Sequence, residues 1–141
     1  MKKSLIIAAL SLLVSLVGCG PKPDPTPEIK IDVTGEWELT GVTTKSAKLG
    51  DVTVNVYMSF AADGTFMLYQ QIGDGRFRAF DGNWTLDGSL LSGTYSNGTA
   101  WGASYEVTQE GDTMSLAAVD LTEVDTYRKT TIPESVKEEA I

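Results

Sequence analysis

The chain has 141 residues, nineteen acidic against eleven basic side chains, a formal net charge of −8, one cysteine and no histidine. The negative surplus opposes binding to nucleic acid or to anionic headgroups, where affinity is largely a Lys/Arg–phosphate term. Absence of histidine removes the commonest general base and transition-metal ligand, which excludes nucleophilic triads and zinc sites of the usual composition, and a single cysteine excludes an intrachain disulfide.

Lys2 and Lys3 precede an apolar run from Leu5 to Val17 that is too short to span a bilayer comfortably, the pattern of an export signal. It ends in Leu16-Val17-Gly18-Cys19. This stretch resembles a bacterial lipoprotein signal with its lipobox. The resemblance implies cleavage after Gly18, a thioether-linked diacylglycerol on Cys19 and an acylated new amine, palmitate being a typical chain. Residues 1–18 are therefore expected to be removed, which leaves 123 residues, nine basic and nineteen acidic, with a charge of −10. That is the size of one domain, expected as a monomer. The expected address is the cell envelope, lipid-anchored in the outer membrane. Gly20-Pro21-Lys22-Pro23-Asp24 lacks the acidic run that surface-exposed lipoproteins of some bacteria carry, so a periplasm-facing position is favoured.

Residues 19–33 read as the lipidated Cys and a tether. Four of the five prolines stand at every second position from Pro21 to Pro27, and such a run stays extended. At roughly 3.1 Å per residue it reaches about 25–30 Å from the membrane. No further proline occurs until Pro133, as expected of hydrogen-bonded sheet.

From Thr34 the pattern has period two, with turn signals every eight to twelve residues. It predicts an all-β domain over 34–132, an eight-stranded up-and-down antiparallel meander barrel. The strands fall near 34–43, 52–60, 65–72, 76–86, 89–96, 101–109, 113–119 and 124–132, and Pro133 with Glu134 predicts a short C-terminal helix or tail over 133–141. Matching apolar faces fixes the turns. An odd-length loop with Gly64 in the left-handed conformation turns Val54, Val56, Met58 and Phe60 to the same side as Phe66, Leu68 and Ile72. A turn at Asp87-Gly88 sets Trp84 opposite Leu91. A loop at Asn97-Gly98-Thr99 sets Tyr95 opposite Trp101 and turns Ala103, Tyr105 and Val107 inward.

The fourth strand admits two registers. A two-residue turn at Asp74-Gly75 points Phe77 and Ala79 inward and needs a bulge at Asp81-Gly82 to restore Trp84. A three-residue loop at Gly73-Asp74-Gly75 points Arg76 and Arg78 inward instead. Turn chemistry favours the first.

Gly35-Glu36-Trp37 opens the first strand, and Arg128 stands near the end of the last. Together with the strand count, these residues resemble the lipocalin family, whose G-x-W motif begins a barrel that binds apolar molecules. The resemblance implies that Gly35, Trp37 and Arg128 form the closed end, with the basic side chain across the Trp ring. The family's T-D-Y loop motif, disulfide and long C-terminal helix are absent here, so the closest likeness is to short lipocalin-like domains of exported bacterial lipoproteins.

If Trp37 marks the closed end, Met58, Phe60, Phe66, Trp84, Leu86, Leu91, Val107, Met114 and Leu116 lie low in the barrel. Val54, Ile72, Phe77, Tyr95, Trp101 and Ala103 lie toward the mouth, beside the loop from Thr44 to Asp51, with Gln70 as a polar neighbour. These six are the expected ligand contacts. An eight-stranded barrel has room either for packed side chains alone or for one small ligand. The leading expectation is a non-enzymatic binding protein for a small apolar or amphipathic ligand, with no catalytic residue, metal or cofactor. The alternative is an envelope interaction protein with a filled barrel and no ligand pocket, docking a protein, glycan or protease partner through its loops or an outer face. Its surface would be Tyr57, Met67 and Tyr69, which point outward. A hydrolase using paired carboxylates ranks third, because the acidic residues sit mostly in Asp-Gly turns such as Asp63-Gly64 and Asp87-Gly88.

Overall fold

The alternation from Gly35 onward closes on itself. In the computed structural model, which describes residues 30–43 and 53–141, the strands are β1 (Gly35–Thr43), β2 (Val54–Phe60), β3 (Thr65–Ile72), β4 (Arg78–Asp87), β5 (Leu90–Tyr95), β6 (Tyr105–Glu110), β7 (Thr113–Ala118) and β8 (Val124–Lys129), followed by α1 (Glu134–Glu139). Each strand pairs antiparallel with the next and β8 returns to β1, giving a closed eight-stranded barrel. Closure removes every edge and hence the aggregation liability of an open sheet. The export signal, Cys19, the proline run and the loop beside the mouth lie outside the described residues. Among the described residues no helix is long and apolar enough to cross a membrane.

The hairpins carry the expected faces, two of them in a shifted register. Between β2 and β3, Ala61 donates its N–H to the Thr65 carbonyl at 2.9 Å, and Gly64 adopts φ +90°. Phe60 then faces Phe66 and Met58 faces Leu68, as the apolar pattern requires. Between β4 and β5 the turn residues are Gly88 and Ser89, so Trp84 faces Gly93 and Leu86 faces Leu91. After β5, Gly98 takes the left-handed position and Tyr95 bonds Thr99, which sets Trp101 against Gly93 rather than Tyr95. Both displacements are of two residues. A shift of one would turn every side chain over, whereas a shift of two leaves the faces intact.

The fourth strand departs from the favoured register. Gln70 faces Arg78, Leu68 faces Phe80 and Phe66 faces Gly82 in an unbroken ladder, with no bulge at Asp81-Gly82. Arg78 and Phe80 therefore share the inner face with Trp84, while Phe77 and Ala79 lie outside. The loop takes more residues than a tight turn, because Gly73 is left-handed and bonds the Thr53 carbonyl across the sheet. The strands expected at 101–109 and 124–132 are also shorter, beginning at Tyr105 and ending at Lys129.

Trp37 is completely buried at the closed end and donates its indole N–H to the Val33 carbonyl at 2.8 Å. Val33 is itself 1% exposed, and Gln109 clamps the preceding residue by exchanging hydrogen bonds with the Asp32 backbone. The basic residue over the Trp37 ring is Lys129, with Nζ 5.4 Å from the centroid, and not Arg128. Register decides this: Trp37 pairs with Lys129 and so shares its inward parity, while Arg128 pairs with Glu38 and points to solvent. Gly35, at φ +117°, leaves the space, since a Cβ there would lie 3.1 Å from Lys129 Cε. Such a cation–π contact contributes about 0.5–2 kcal/mol.

A second apolar cluster lies on the outer face. Tyr69, Ile132 and Val136 are buried together, with Tyr57, Met67, Phe77 and Ala79 packed against them. The residues Tyr57, Met67 and Tyr69 thus point outward as expected but are roofed by the chain's own C-terminal segment. Pro133 caps α1. Glu36, the middle residue of Gly35-Glu36-Trp37, fastens this segment by accepting from the Ile132 N–H at 3.1 Å and pairing with Lys137 at 2.9 Å.

One position controls how closely β4 and β5 approach. A Cβ on Gly82 would meet the Thr94 carbonyl at 2.1 Å, Tyr95 Cα at 2.8 Å and the Phe66 ring at 2.9 Å. Two of these are backbone atoms that cannot step aside. Gly82→Ala is expected to cost about 3 kcal/mol through overpacking, read as a lower midpoint in urea unfolding; an unchanged midpoint would contradict the close approach.

Candidate functional site

Above the packed base, the inner faces do not meet, leaving an internal cavity of about 410 Å³. This lies within the range of small-molecule sites. Met58, Phe66 and Leu116 form its floor, and Leu39, Val54, Val56 and Leu68 form apolar walls. The aromatic side is tightly cross-braced. Phe66 meets Trp101 edge-on with centroids 5.0 Å apart and Tyr95 at 5.8 Å, while Trp101 contacts Tyr105 at 6.2 Å. Trp101 reaches this place because residue 93 is glycine: a Cβ there would fall 2.3 Å from Trp101 Cε2. A side recess lined by Leu68, Gln70, Phe80 and Tyr95 adjoins the cavity where β4 and β5 part.

The lining also carries polar groups in an unusual state. Trp101 Nε1 and Asp125 Oδ1 are both shut off from solvent and, among the described residues, neither has a hydrogen-bond partner. A buried polar atom without a partner costs free energy, so each such atom calls for a physical reason. Burial pushes the Asp125 carboxyl up to about 6, and the charge of Glu123 adds to the shift. Tyr105 and Tyr127 are raised as well, first by burial and then by the negative charge of Asp125. The result is an apolar chamber with one unanswered donor and one unanswered acid. Among the described residues no cluster of three or more His, Cys, Asp or Glu side chains is placed to hold a metal ion.

Of the six expected contacts, Val54, Ile72, Tyr95 and Trp101 line the cavity, as does Gln70. Phe77 does not. It sits on the outer face, 6.0 Å from Tyr57 and packed against the cluster under α1, because β4 has the opposite parity to the one favoured from its turn. Ala103 does not line it either, and Gly102 does. Residues 102–104 precede β6 and leave the β5 ladder, so counting by twos from Trp101 fails across them. Asp125 and Tyr127 carry no motif that marks them as lining residues, although Val124-Asp125-Thr126-Tyr127 alternates in a way that places an acid and a tyrosine on one face of β8.

The state of Asp125 has a consequence for stability. Its pKa is raised in the folded protein, so the folded state holds more protons than the unfolded one between about pH 4 and 6, and stability falls as pH rises through that window. Asp125→Asn is therefore expected to stabilise the protein at pH 8 by on the order of 1 kcal/mol after solvent screening, seen as a higher Tm, and to leave Tm unchanged at pH 4. Thermal melts at the two pH values check this, and an equal effect at both would remove the electrostatic explanation.

Residues 33–116, from Val33 at the closed end to Leu116 on the cavity floor, match the family model described as a lipocalin-like domain. No curated protein matches the chain. Among solved structures, a DUF4847 family protein from Bacteroides vulgatus ATCC 8482 is similar with a TM-score of 0.47 and 14% identity, over 71% of this chain and 95% of that one. The family match spans more than half of the chain, and the chain accordingly belongs to the lipocalin-like domain family.

Proposed function

We propose that this protein is a non-enzymatic, membrane-tethered binding protein that holds one small apolar or amphipathic molecule inside its barrel. The observation that carries the reading is the cavity of about 410 Å³, whose walls are mostly apolar and aromatic but include two buried polar atoms without partners. A barrel meant only as a scaffold would gain by filling that space with side chains, since unfilled interior volume is destabilising. The interaction-protein alternative relied on Tyr57, Met67 and Tyr69 as an outer docking patch, and α1 with Ile132 covers it.

Tethering rests on Leu16-Val17-Gly18-Cys19 and its resemblance to a lipobox. Two or more acyl chains hold a protein stably where one gives only marginal binding. Residues 31–33 pack at the closed end beside Trp37.

Two experiments test the two halves. Native mass spectrometry of the full chain titrated with 1-octanol is expected to give a one-to-one complex, weakened at least tenfold by Leu116→Trp, which fills the floor. An equal affinity in the variant would put the alcohol somewhere other than the cavity. For the anchor, bacteria expressing the full chain should incorporate labelled palmitate into it, and Cys19→Ser should lose the label; undiminished labelling would refute lipidation at that residue.

A further inference from the structure

The cavity's polar groups indicate what its occupant carries. Asp125 enters from β8, interacts with Tyr105 of β6, Tyr127 of its own strand and Glu123 just before it, and shares the cavity lining with Tyr95 of β5. Every one of these neighbours is neutral or negative. The ion pairs among the described residues both involve Lys137, outside the barrel, where it meets Glu36 and Glu134. Lys129 is over Trp37 at the closed end, and Arg76 and Arg78 line a recess at the start of β4 that shares Gln70 and Ile72 with the cavity, without lining the cavity themselves. Among the described residues, this half-buried acid thus has neighbours that make its charge harder to bear. A desolvated carboxylate ordinarily persists because something positive answers it.

Resting on the binding reading above, we propose that the cavity takes an amphipathic amine, with its ammonium on Asp125 Oδ1 and its apolar body against Phe66, Leu68 and Trp101. Glu123, on the same wall, adds negative potential at the site. Tyr95, Trp101 and Tyr105 offer ring faces that attract a cation and repel an anion. A carboxylate-bearing ligand such as a fatty acid would instead bring a third negative charge beside Glu123 and Asp125. The indole N–H of Trp101 adds a preference for an amine that also bears an oxygen acceptor, since this donor has no other partner among the described residues.

The pH dependence follows from the same group. An aliphatic amine stays protonated throughout, but Asp125, pushed up to about 6, loses its charge as pH falls, so amine binding weakens between pH 7.5 and 5.

Isothermal titration of the full chain, against detergent blanks, with octylamine, 1-octanol and octanoate tests the inference, since the three share a tail and differ in head charge. The expected order is octylamine at least tenfold tighter than 1-octanol, and octanoate weakest. Asp125→Asn should abolish the amine preference while keeping 1-octanol affinity, and Glu123→Gln, at an exposed position, should reduce the preference in part. If 1-octanol or octanoate binds as well as the amine, or Asp125→Asn leaves the preference intact, the amine assignment is overturned and the binding function stands. If none of the three binds, both are overturned.

Discussion

Trp37 is the residue on which the rest of the barrel depends. It is wholly excluded from water, its indole N–H is answered by the Val33 carbonyl, and Lys129 lies over its ring. Burying so large a ring with its single polar atom satisfied removes the usual penalty for an indole in a core. The surrounding sequence serves this packing. Gly35 leaves room for the Lys129 stem, Val33 supplies both the acceptor and an apolar plug, and Glu36, on the opposite face, fastens the C-terminal segment. Three consecutive residues thereby close one end of the barrel, choose which parity faces inward and anchor α1.

Sealing one end concentrates dense packing there and leaves the other end underfilled. Phe60, Leu91 and Met114 are almost completely buried in the core, while Ile72, on the cavity's rim, is 60% exposed. The transition passes through the aromatic group of Phe66, Tyr95, Trp101 and Tyr105, whose edge-to-face contacts make a stiff wall rather than a collapsing one. Asp125 stands in that underfilled half, where a carboxylate destabilises the folded state above about pH 6. Strain of this kind tends to be retained where it serves binding, and here it coincides with the chamber.

The sheet is least continuous beside the same chamber. β5 and β6 pair at two positions, Leu90 with Glu106 and Leu91 with Tyr105, and beyond them a lone bridge joins Thr94 to Ala100. Trp101 still donates its backbone N–H to the Gly93 carbonyl at 2.9 Å and lays its ring across Gly93, and residues 102–104 then leave the β5 ladder. The outer face shows the reverse economy of contacts: an apolar patch on β2, β3 and β4 that could have been a docking site is roofed by Ile132 and Val136.

How far the sequence reached is a matter of parity and distance. Period-two alternation and turn glycines sufficed for an all-β meander with Val56, Met58, Phe60, Phe66, Leu91, Val107, Met114 and Leu116 inside, because side-chain direction in a strand is a local property that register shifts of two do not alter. They also placed Val54, Ile72, Tyr95 and Trp101 toward the mouth, where all four line the cavity. Where a loop could hold either an odd or an even number of residues, local signals failed: Phe77 went outside and Arg78 inside once Gly73 bonded Thr53 across the sheet. Lys129 rather than Arg128 covers Trp37 because pairing between the first and last strands is set by barrel closure, which no neighbouring residue encodes. The desolvation of Asp125 is tertiary for the same reason. An acid at an inward position can be read from Val124-Asp125-Thr126-Tyr127, but whether anything answers its charge depends on what β5 and β6 bring across the barrel, and they bring tyrosines.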